Sequence, residues 1–532
     1  PMNNKLMMII TSIFMIISCS TNNKRNIDSP NIVFIIADDA SWKHFGVYGS
    51  KELKTPNIDN MALQGVLFQN AFVSTPSCTA SRGSILTGRN GFELEDGILL
   101  GGYLPKKFNT YTEILQKAGY KVGATGKGWG PGTLFGRDVN PAGSPHNYLQ
   151  ENRYEELFCD NSISPTNYAA NFNNFLFERK EDQPFVFWVG THEPHKPFTN
   201  GLAATQNIDI NKIIVPEFYP DNKDVRTELG EYLAEIQHLD YQVGQVYEVL
   251  KKHNQLSNTM VVFTSDNGMP FPRSKSNLYE YGIHMPLIVT WGNQIKKNRK
   301  ILDLISLTDL APTFIDAAGL TVPSSMSGKS FLDIIKSERD GEVRNDDRKI
   351  FSGIERHGAS AIYPSRTIRS KDFQLIWNAF PENIPIAVDG GPIRDELIKS
   401  KEKTPFYYKI NMDRRPEFEL YDVQDDPNSL NNLVKSNNHQ IIMQSLKKEL
   451  FEYLESRDDP RVLGNSDIWE YSPAFILWNG EKGSGVNYSP FTQGQNIPKE
   501  RMKKMLIEYY HKNDFEQDFI DKVLKRLENN LD

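Results

Sequence analysis

Four stretches of the chain are apolar without interruption, at residues 31–37, 184–190, 259–264 and 286–291. A strand with one wet face alternates apolar and polar side chains. An unbroken run therefore marks a strand covered on both faces, as in a parallel sheet flanked by helices. Helical spacing of apolar positions occupies the intervals, at 57–64, 111–118, 167–178 and, longest, 224–253. Strands alternating with helices predict an α/β sandwich, with a large and mostly parallel sheet between helices. Beyond about residue 345 the pattern changes. Short runs at 348–353, 365–369, 373–377 and 418–421 are separated by turn-rich stretches, and a helical pattern follows at 439–457. These predict a smaller C-terminal domain with a short antiparallel sheet. The expected organisation is a leader over 1–19, a tether over 20–29, a large domain over 30–345, a C-terminal subdomain over 346–470 and an extension over 471–532.

The apolar run from Leu6 to Ile17 is too short to span a bilayer and has the length of a signal-peptide core. It ends Ile16-Ile17-Ser18-Cys19, which resembles the lipobox of bacterial lipoproteins. That resemblance implies a lipid anchor on Cys19, the only contact with a membrane, and a place in the bacterial cell envelope, in the periplasm or at the cell surface. A formal net charge of −7 supplies no basic field, which excludes nucleic acid as the main partner. An anionic substrate stays open, because a few local cations can outweigh a distant acidic surface. The chain has three cysteines, Cys19, Cys78 and Cys159, too few for a disulfide framework. Cys159 is expected to be a lone structural thiol.

Two of the buried strands finish in acid. The first runs into Asp38-Asp39 and the third into Asp266-Asn267. In open parallel sheets, ligands sit beyond the carboxyl ends of the strands. Three carboxylates and an amide gathered there are hard oxygen donors that would repel one another without a cation. Ca²⁺ or Mg²⁺ matches that set better than Zn²⁺, which recruits His or Cys. One such Asp pair alone would most often be a helix N-cap; two on two apolar strands weaken that reading.

Between the acid pairs lies Ser77-Cys78-Thr79-Ala80-Ser81-Arg82-Gly83. With the acids, and in this order, it resembles the type I sulfatase family, whose Cys-x-Pro/Ala-x-Arg stretch is matched by Cys78, Ala80 and Arg82. The resemblance implies an alkaline-phosphatase-like fold. It also implies a maturation enzyme that oxidises Cys78 to 3-oxoalanine (formylglycine), and one Ca²⁺ held by Asp38, Asp39, Cys78, Asp266 and Asn267. In the hydrated aldehyde one hydroxyl attacks sulfur and the other expels sulfate, splitting a hard step in two. Arg82 is implied to orient that group.

Further stretches resemble the same family in the same order. Thr125-Gly126-Lys127-Gly128 implies that Lys127 contacts the sulfate, and Lys275 with Tyr279-Glu280 implies a second lysine on it. His192-Glu193-Pro194-His195 resembles a His-x-Pro-His stretch, in which His192 is expected to protonate the leaving group. Glu419 to Asp422, Asp426-Pro427 and Asn432-Leu433 resemble the C-terminal signature. The similarity thus runs from about Pro30 to about Leu433, and the domain over 30–345 is expected to be catalytic. One departure stands out: many members have His two residues after the lysine, where this chain has Trp129.

Ser265-Asp266-Asn267-Gly268-Met269-Pro270-Phe271-Pro272 and Val215-Pro216-Glu217-Phe218-Tyr219-Pro220 resemble the heparan N-sulfatase branch. The implied substrate is a sulfated polysaccharide or oligosaccharide, algal such as ulvan or a glycosaminoglycan such as heparan. Trp129, Glu193, His195, Arg356 and His357 are the candidate substrate-binding residues, with Glu355, Arg366 and Arg369 also available, the two arginines for a uronate. Two other classes compete. A phosphodiesterase or phosphonate hydrolase of the alkaline-phosphatase superfamily would use Thr or Ser and two zinc ions. A non-catalytic glycan-binding lipoprotein would bind sugar without turnover.

Overall fold

The computed structural model describes residues 29–132, 134, 137–150, 163–357, 361–386, 389–466 and 469, with isolated positions between 503 and 525. The leader with Cys19, nearly all of the tether, Cys159 and most of the extension over 471–532 lie outside the described residues.

The larger sheet has eight strands: β1 (Asn31–Ala37), β2 (Val66–Phe72), β3 (Lys121–Gly126), β4 (Ser144–Pro145), β5 (Phe185–Gly190), β6 (Thr259–Ser265), β7 (His284–Thr290) and β8 (Arg299–Ser306). Their order is β4-β3-β5-β1-β6-β7-β2-β8. Only β7 opposes its neighbours, β6 and β2; every other pair is parallel. The apolar run at 286–291 therefore belongs to an antiparallel strand, although β7 is buried along its whole length. Coverage on both faces follows from a central place in the sheet, whichever way the strand runs.

Successive side chains of β1 point to opposite faces and join different halves of the core. Ile32, Phe34 and Ile36 pack with Tyr111 and Phe314 on one side. Val33, Ile35 and Ala37 pack with Leu229, Tyr232 and Leu239 on the other. The helices Pro56–Leu63, Tyr111–Lys117, Tyr168–Phe177 and Lys223–Lys252 lie within a residue or two of the expected spans. The last is opened by Asn222, whose side chain accepts the Val225 N–H.

The second sheet is antiparallel and four-stranded, in the order β12 (Phe418–Asp422), β11 (Phe373–Asn378), β10 (Ala361–Arg369), β9 (Ile350–His357). The helix Gln440–Ser456 covers it with Met443, Leu446, Leu450 and Leu454, one stripe at helical spacing. This domain corrects part of the expected substrate site. Arg366 is fully buried, with Nε 2.6 Å from Asp459 Oδ2 and Nη2 2.6 Å from Glu355 Oε1. Arg369 Nε lies 2.7 Å from Glu280 Oε1 and links the second sheet to the segment before β7. Both arginines, and Glu355 with them, are engaged in internal ion pairs and present nothing to a uronate.

Candidate active site

Register brings the motifs together. Gly126 pairs with Gly190, Gly190 with Ile36, and Ile36 with Thr264, so β3, β5, β1 and β6 end on one line. The residues just past that line are Lys127, His192, Asp38-Asp39 and Asp266-Asn267. Four segments far apart in sequence share a rim because each follows a parallel strand directly. The approach is close: a Cβ on Gly190 would sit 1.7 Å from the Lys127 carbonyl oxygen. Asp39 adopts a left-handed backbone (φ 76°), and its N–H donates to Asp266 Oδ1 at 3.1 Å.

Cys78 opens the helix Cys78–Thr87, all ten residues of which are buried. Its Sγ lies 3.5 Å from Asp38 Oδ1 and 3.9 Å from Asp39 Oδ1. Four residues on is the same helical face, which is where Arg82 stands. Arg82 Nε donates to Asp266 Oδ2 at 2.7 Å and Nη1 to the Lys127 carbonyl at 2.6 Å. Lys127 Nζ is 2.5 Å from Asp38 Oδ2, and Lys275 Nζ is 2.7 Å from Asp39 Oδ2. Three buried carboxylates thus face three fixed cations.

Burial pushes Asp39 and Asp266 up to about 6, only partly offset by Lys275 and Arg82 respectively. Burial would raise Asp38 as well, but Lys127, His195 and Arg82 hold it well below the usual carboxylate range. Burial drives the Cys78 thiol well above its ordinary value. Asn267 donates through Nδ2 to Asp39 Oδ1 at 2.7 Å, while its Oδ1 is buried with no hydrogen-bond partner among the described residues. An amide oxygen left without a donor beside three carboxylates suits a hard cation. Ligand atoms of Asp38, Asp39, Cys78 and His195 also lie within 4.8 Å of one another, the one such cluster among the described residues.

The two histidines of the His-x-Pro-His stretch differ. His192 is buried, and its backbone N–H donates to Tyr168 Oη at 3.0 Å. His195 has a side chain 25 % exposed and Nε2 3.7 Å from Asp39 Oδ2. Its Nδ1 is 2.5 Å from the Lys196 carbonyl. A carbonyl can only accept, so the proton sits on Nδ1 and Nε2 offers its lone pair to the cluster. Burial pushes His195 down to about 4 and His192 to about 3. His357 is brought to the same region, with Nδ1 3.1 Å from the Oγ of Ser77, the residue before Cys78.

Three of the expected substrate contacts are enclosed by the protein. Glu193 is 1 % exposed and accepts from the Ser164 N–H and the Tyr168 hydroxyl. It holds the tyrosine that holds the His192 backbone. Trp129 is buried in the core, with its backbone N–H on Asn140 Oδ1, and Arg356 is buried on β9. Glu193 and Trp129 are committed to these internal contacts. Sequence reasoning missed Asp389, whose Oδ2 lies 3.6 Å from Lys275 Nζ. It sits in a glycine-rich turn with no motif to mark it.

The sheet order, with the acidic and lysine-bearing loops at one rim, defines an alkaline-phosphatase-like α/β fold. Within that class the chain belongs to the sulfatase family, the sulfuric ester hydrolases: the Sulfatase family model matches residues 30–320. A second model, N-sulphoglucosamine sulphohydrolase, C-terminal, matches residues 273–384. The chain is 27 % identical over 496 residues to human N-sulphoglucosamine sulphohydrolase, covering 83 % of this chain and 93 % of the relative. It is 27 % identical over 446 residues to an ulvan-active sulfatase of Formosa agariphila, covering 81 % of each. A solved structure in complex with its substrate D-glucosamine-2-N,6-O-disulfate superposes with a TM-score of 0.60 at 20 % identity, covering 81 % of this chain and 98 % of that one. That last likeness is one of fold.

Proposed function

We propose that the chain removes sulfate from a sulfated polysaccharide or oligosaccharide, of the ulvan or heparan kind, through a nucleophile formed from Cys78 and with one Ca²⁺. The observation that carries this reading is the position of Cys78. It opens a buried helix, with its Sγ against both Asp38 and Asp39 and with Arg82 one turn below. The names of the human and Formosa relatives support the two substrate kinds.

Asp38, Asp39, Asp266 and Asn267 Oδ1 would hold the cation beside residue 78. When bound, it would polarise the sulfate oxygens and favour a deprotonated nucleophile. Oxidised to formylglycine, residue 78 would supply the attacking oxygen. The chain's own residues do the rest. Arg82 is fixed by Asp266 and two backbone carbonyls, so it orients position 78. Lys127 and Lys275 supply fixed positive charge for the sulfate. Asp38, Asp39 and Asp266 balance the three cations and Asp389 adds one more negative charge, so a divalent ion would leave a net positive pocket suited to an anionic guest. His195, with Nε2 facing the cluster, is a second candidate beside His192 for the leaving-group role once Nε2 has taken up a proton. The negative charge of a bound sulfate raises its basicity from the low value of the empty pocket.

The motif Cys78 to Arg82 is wholly buried, so a maturation enzyme must meet it before the chain folds. Export on a lipid carried by Cys19 belongs to the same reading. The test pairs peptide mass across residue 78 with sulfate release from ulvan and heparan oligosaccharides, with and without EDTA. Chain co-expressed with a maturation enzyme is expected to lose the thiol mass, release sulfate and stop on chelation. Matured chain that hydrolyses aryl phosphate but no sulfate would overturn the reading.

A further inference from the structure

The turn carrying Asp389 is held in place with more care than a surface loop requires. Lys196 Nζ donates to the Gly390 carbonyl at 2.9 Å and to Glu228 Oε1 at 2.7 Å. The other oxygen of Glu228 accepts the Ile393 N–H at 2.7 Å. Gly391 (φ +138°) lies so close to this clamp that a Cβ there would sit 2.2 Å from Glu228 Oε1. Glu228 belongs to the long helix Lys223–Lys252, so the turn is tied to the main domain by a buried ion pair. Asp389 itself is left-handed (φ 52°). Such a conformation costs a non-glycine residue free energy, and it recurs where a side chain must be aimed.

The carboxylate it aims has work to do. Asp389 Oδ2 is buried and has no hydrogen-bond partner among the described residues. Its nearest cation, Lys275 Nζ at 3.6 Å, is too far for a good hydrogen bond and is already bound to Asp39. The Lys275 side chain is 2 % exposed and that of Asp389 29 % exposed. Asp389 is therefore the more exposed partner of the buried lysine, and it keeps one buried acceptor unused.

We propose that Asp389 is a specificity-determining residue: it accepts a hydrogen bond from a hydroxyl or amine of the sugar beside the sulfated position. This rests on the reading that Lys275 grips the sulfate. A donor on the neighbouring carbon satisfies the orphaned oxygen. A second anionic group there is repelled, so one carboxylate both attracts and excludes. The acceptor is part of sugar recognition and has no partner on a flat aryl sulfate.

The experiment compares matured wild type with Asp389→Gly and Asp389→Asn. Glycine and asparagine both tolerate the left-handed backbone, so folding is preserved. kcat/KM is measured on ulvan oligosaccharides, on N-sulfated heparan disaccharides and on 4-nitrophenyl sulfate. The glycine variant is expected to lose about tenfold or more on the glycan relative to the aryl sulfate, chiefly through KM, with asparagine between it and wild type. Equal losses on both substrates would mean that Asp389 acts only through Lys275, and would overturn the proposal. So would no loss on the glycan, or a wild type that turns over the aryl sulfate alone. A wild type that cleaves none of the three sinks the sulfatase chemistry itself, a different failure.

Discussion

Arg82 Nε lies 2.7 Å from Asp266 Oδ2, and neither side chain has any exposed surface. The pair ties the helix that Cys78 opens to the end of β6, and Asp266 is pushed up to about 6 by burial even with the arginine in place. Removing one partner of a buried pair strands the other in low dielectric, at a cost of about 3–5 kcal/mol. Arg82→Ala is expected to lose that much stability in metal-free protein, and less with Ca²⁺, which would take over part of the neutralisation. Denaturant unfolding with and without Ca²⁺ measures both. A loss below about 1 kcal/mol would show that Asp266 does not depend on Arg82.

Metal affinity should fall steeply in mild acid. Asp39 and Asp266 stand at about 6 in the metal-free pocket, against 3.8 for an unperturbed Asp. A carboxylate must lose its proton to bind Ca²⁺. With two such groups, each already half protonated at pH 6, the Ca²⁺ Kd should rise about 30-fold between pH 6 and pH 5, at about 5- to 6-fold per group. Calorimetry in buffers of different ionisation enthalpy should detect protons released near pH 6. The stability effect has the opposite sign. A folded pKa raised above the unfolded one means that the native state holds more protons between about pH 4 and 6. These two groups therefore make metal-free protein more stable as pH falls from 7 to 4, while the stabilisation by Ca²⁺ shrinks. A Kd flat across that range would remove both carboxylates from the site.

What could be read in advance follows from which signals are local. β1, β5 and β6 are covered on both faces, and their composition announced it. β8 alternates buried Arg299 with exposed Lys300, and β2 carries Gln69 and Asn70. Those mixed strands were not legible as sheet. The helix Cys78–Thr87 is buried all round, so it has no apolar stripe to reveal it. Asp38, Asp266, Lys127 and Cys78 carried motifs, and register brings them together. Glu193 and Trp129 carried the same local promise, but tertiary packing turned both inward. Asp389 depends on a clamp between Lys196 and Glu228, a contact between distant segments that no spacing encodes.

Gly190 is a test of how tightly the rim is built. A Cβ there meets the Lys127 carbonyl oxygen at 1.7 Å and the carbonyl carbon at 2.7 Å, so backbone must move. Gly190→Ala is expected to cost about 3 kcal/mol or more, at the upper end of overpacking effects, and to displace Lys127. Gly119→Ala is the control. It has φ +99° but nothing within 4 Å, so only the backbone term of about 1 kcal/mol applies. Thermal unfolding of the two variants should separate them by several degrees, with sulfate release lost only in Gly190→Ala.

Proton donation by His195 makes a prediction that depends on the leaving group. A sugar oxygen or nitrogen cannot depart without a proton, whereas 4-nitrophenolate can. His195→Asn should therefore lower kcat on a glycan sulfate by about 10²–10⁴-fold and on 4-nitrophenyl sulfate far less. Across a series of aryl sulfates, the rate should depend more steeply on leaving-group pKa in this variant than in wild type. His192→Asn changes a ring that is 8 % exposed and feels Asp38, Lys127 and Arg82. It should lower activity through stability and local packing, leaving the slope of that series as it is in wild type. If the slope steepens for His192→Asn and stays put for His195→Asn, the roles are reversed. The 3.7 Å approach of His195 Nε2 to Asp39 would then serve only to position the acid pair.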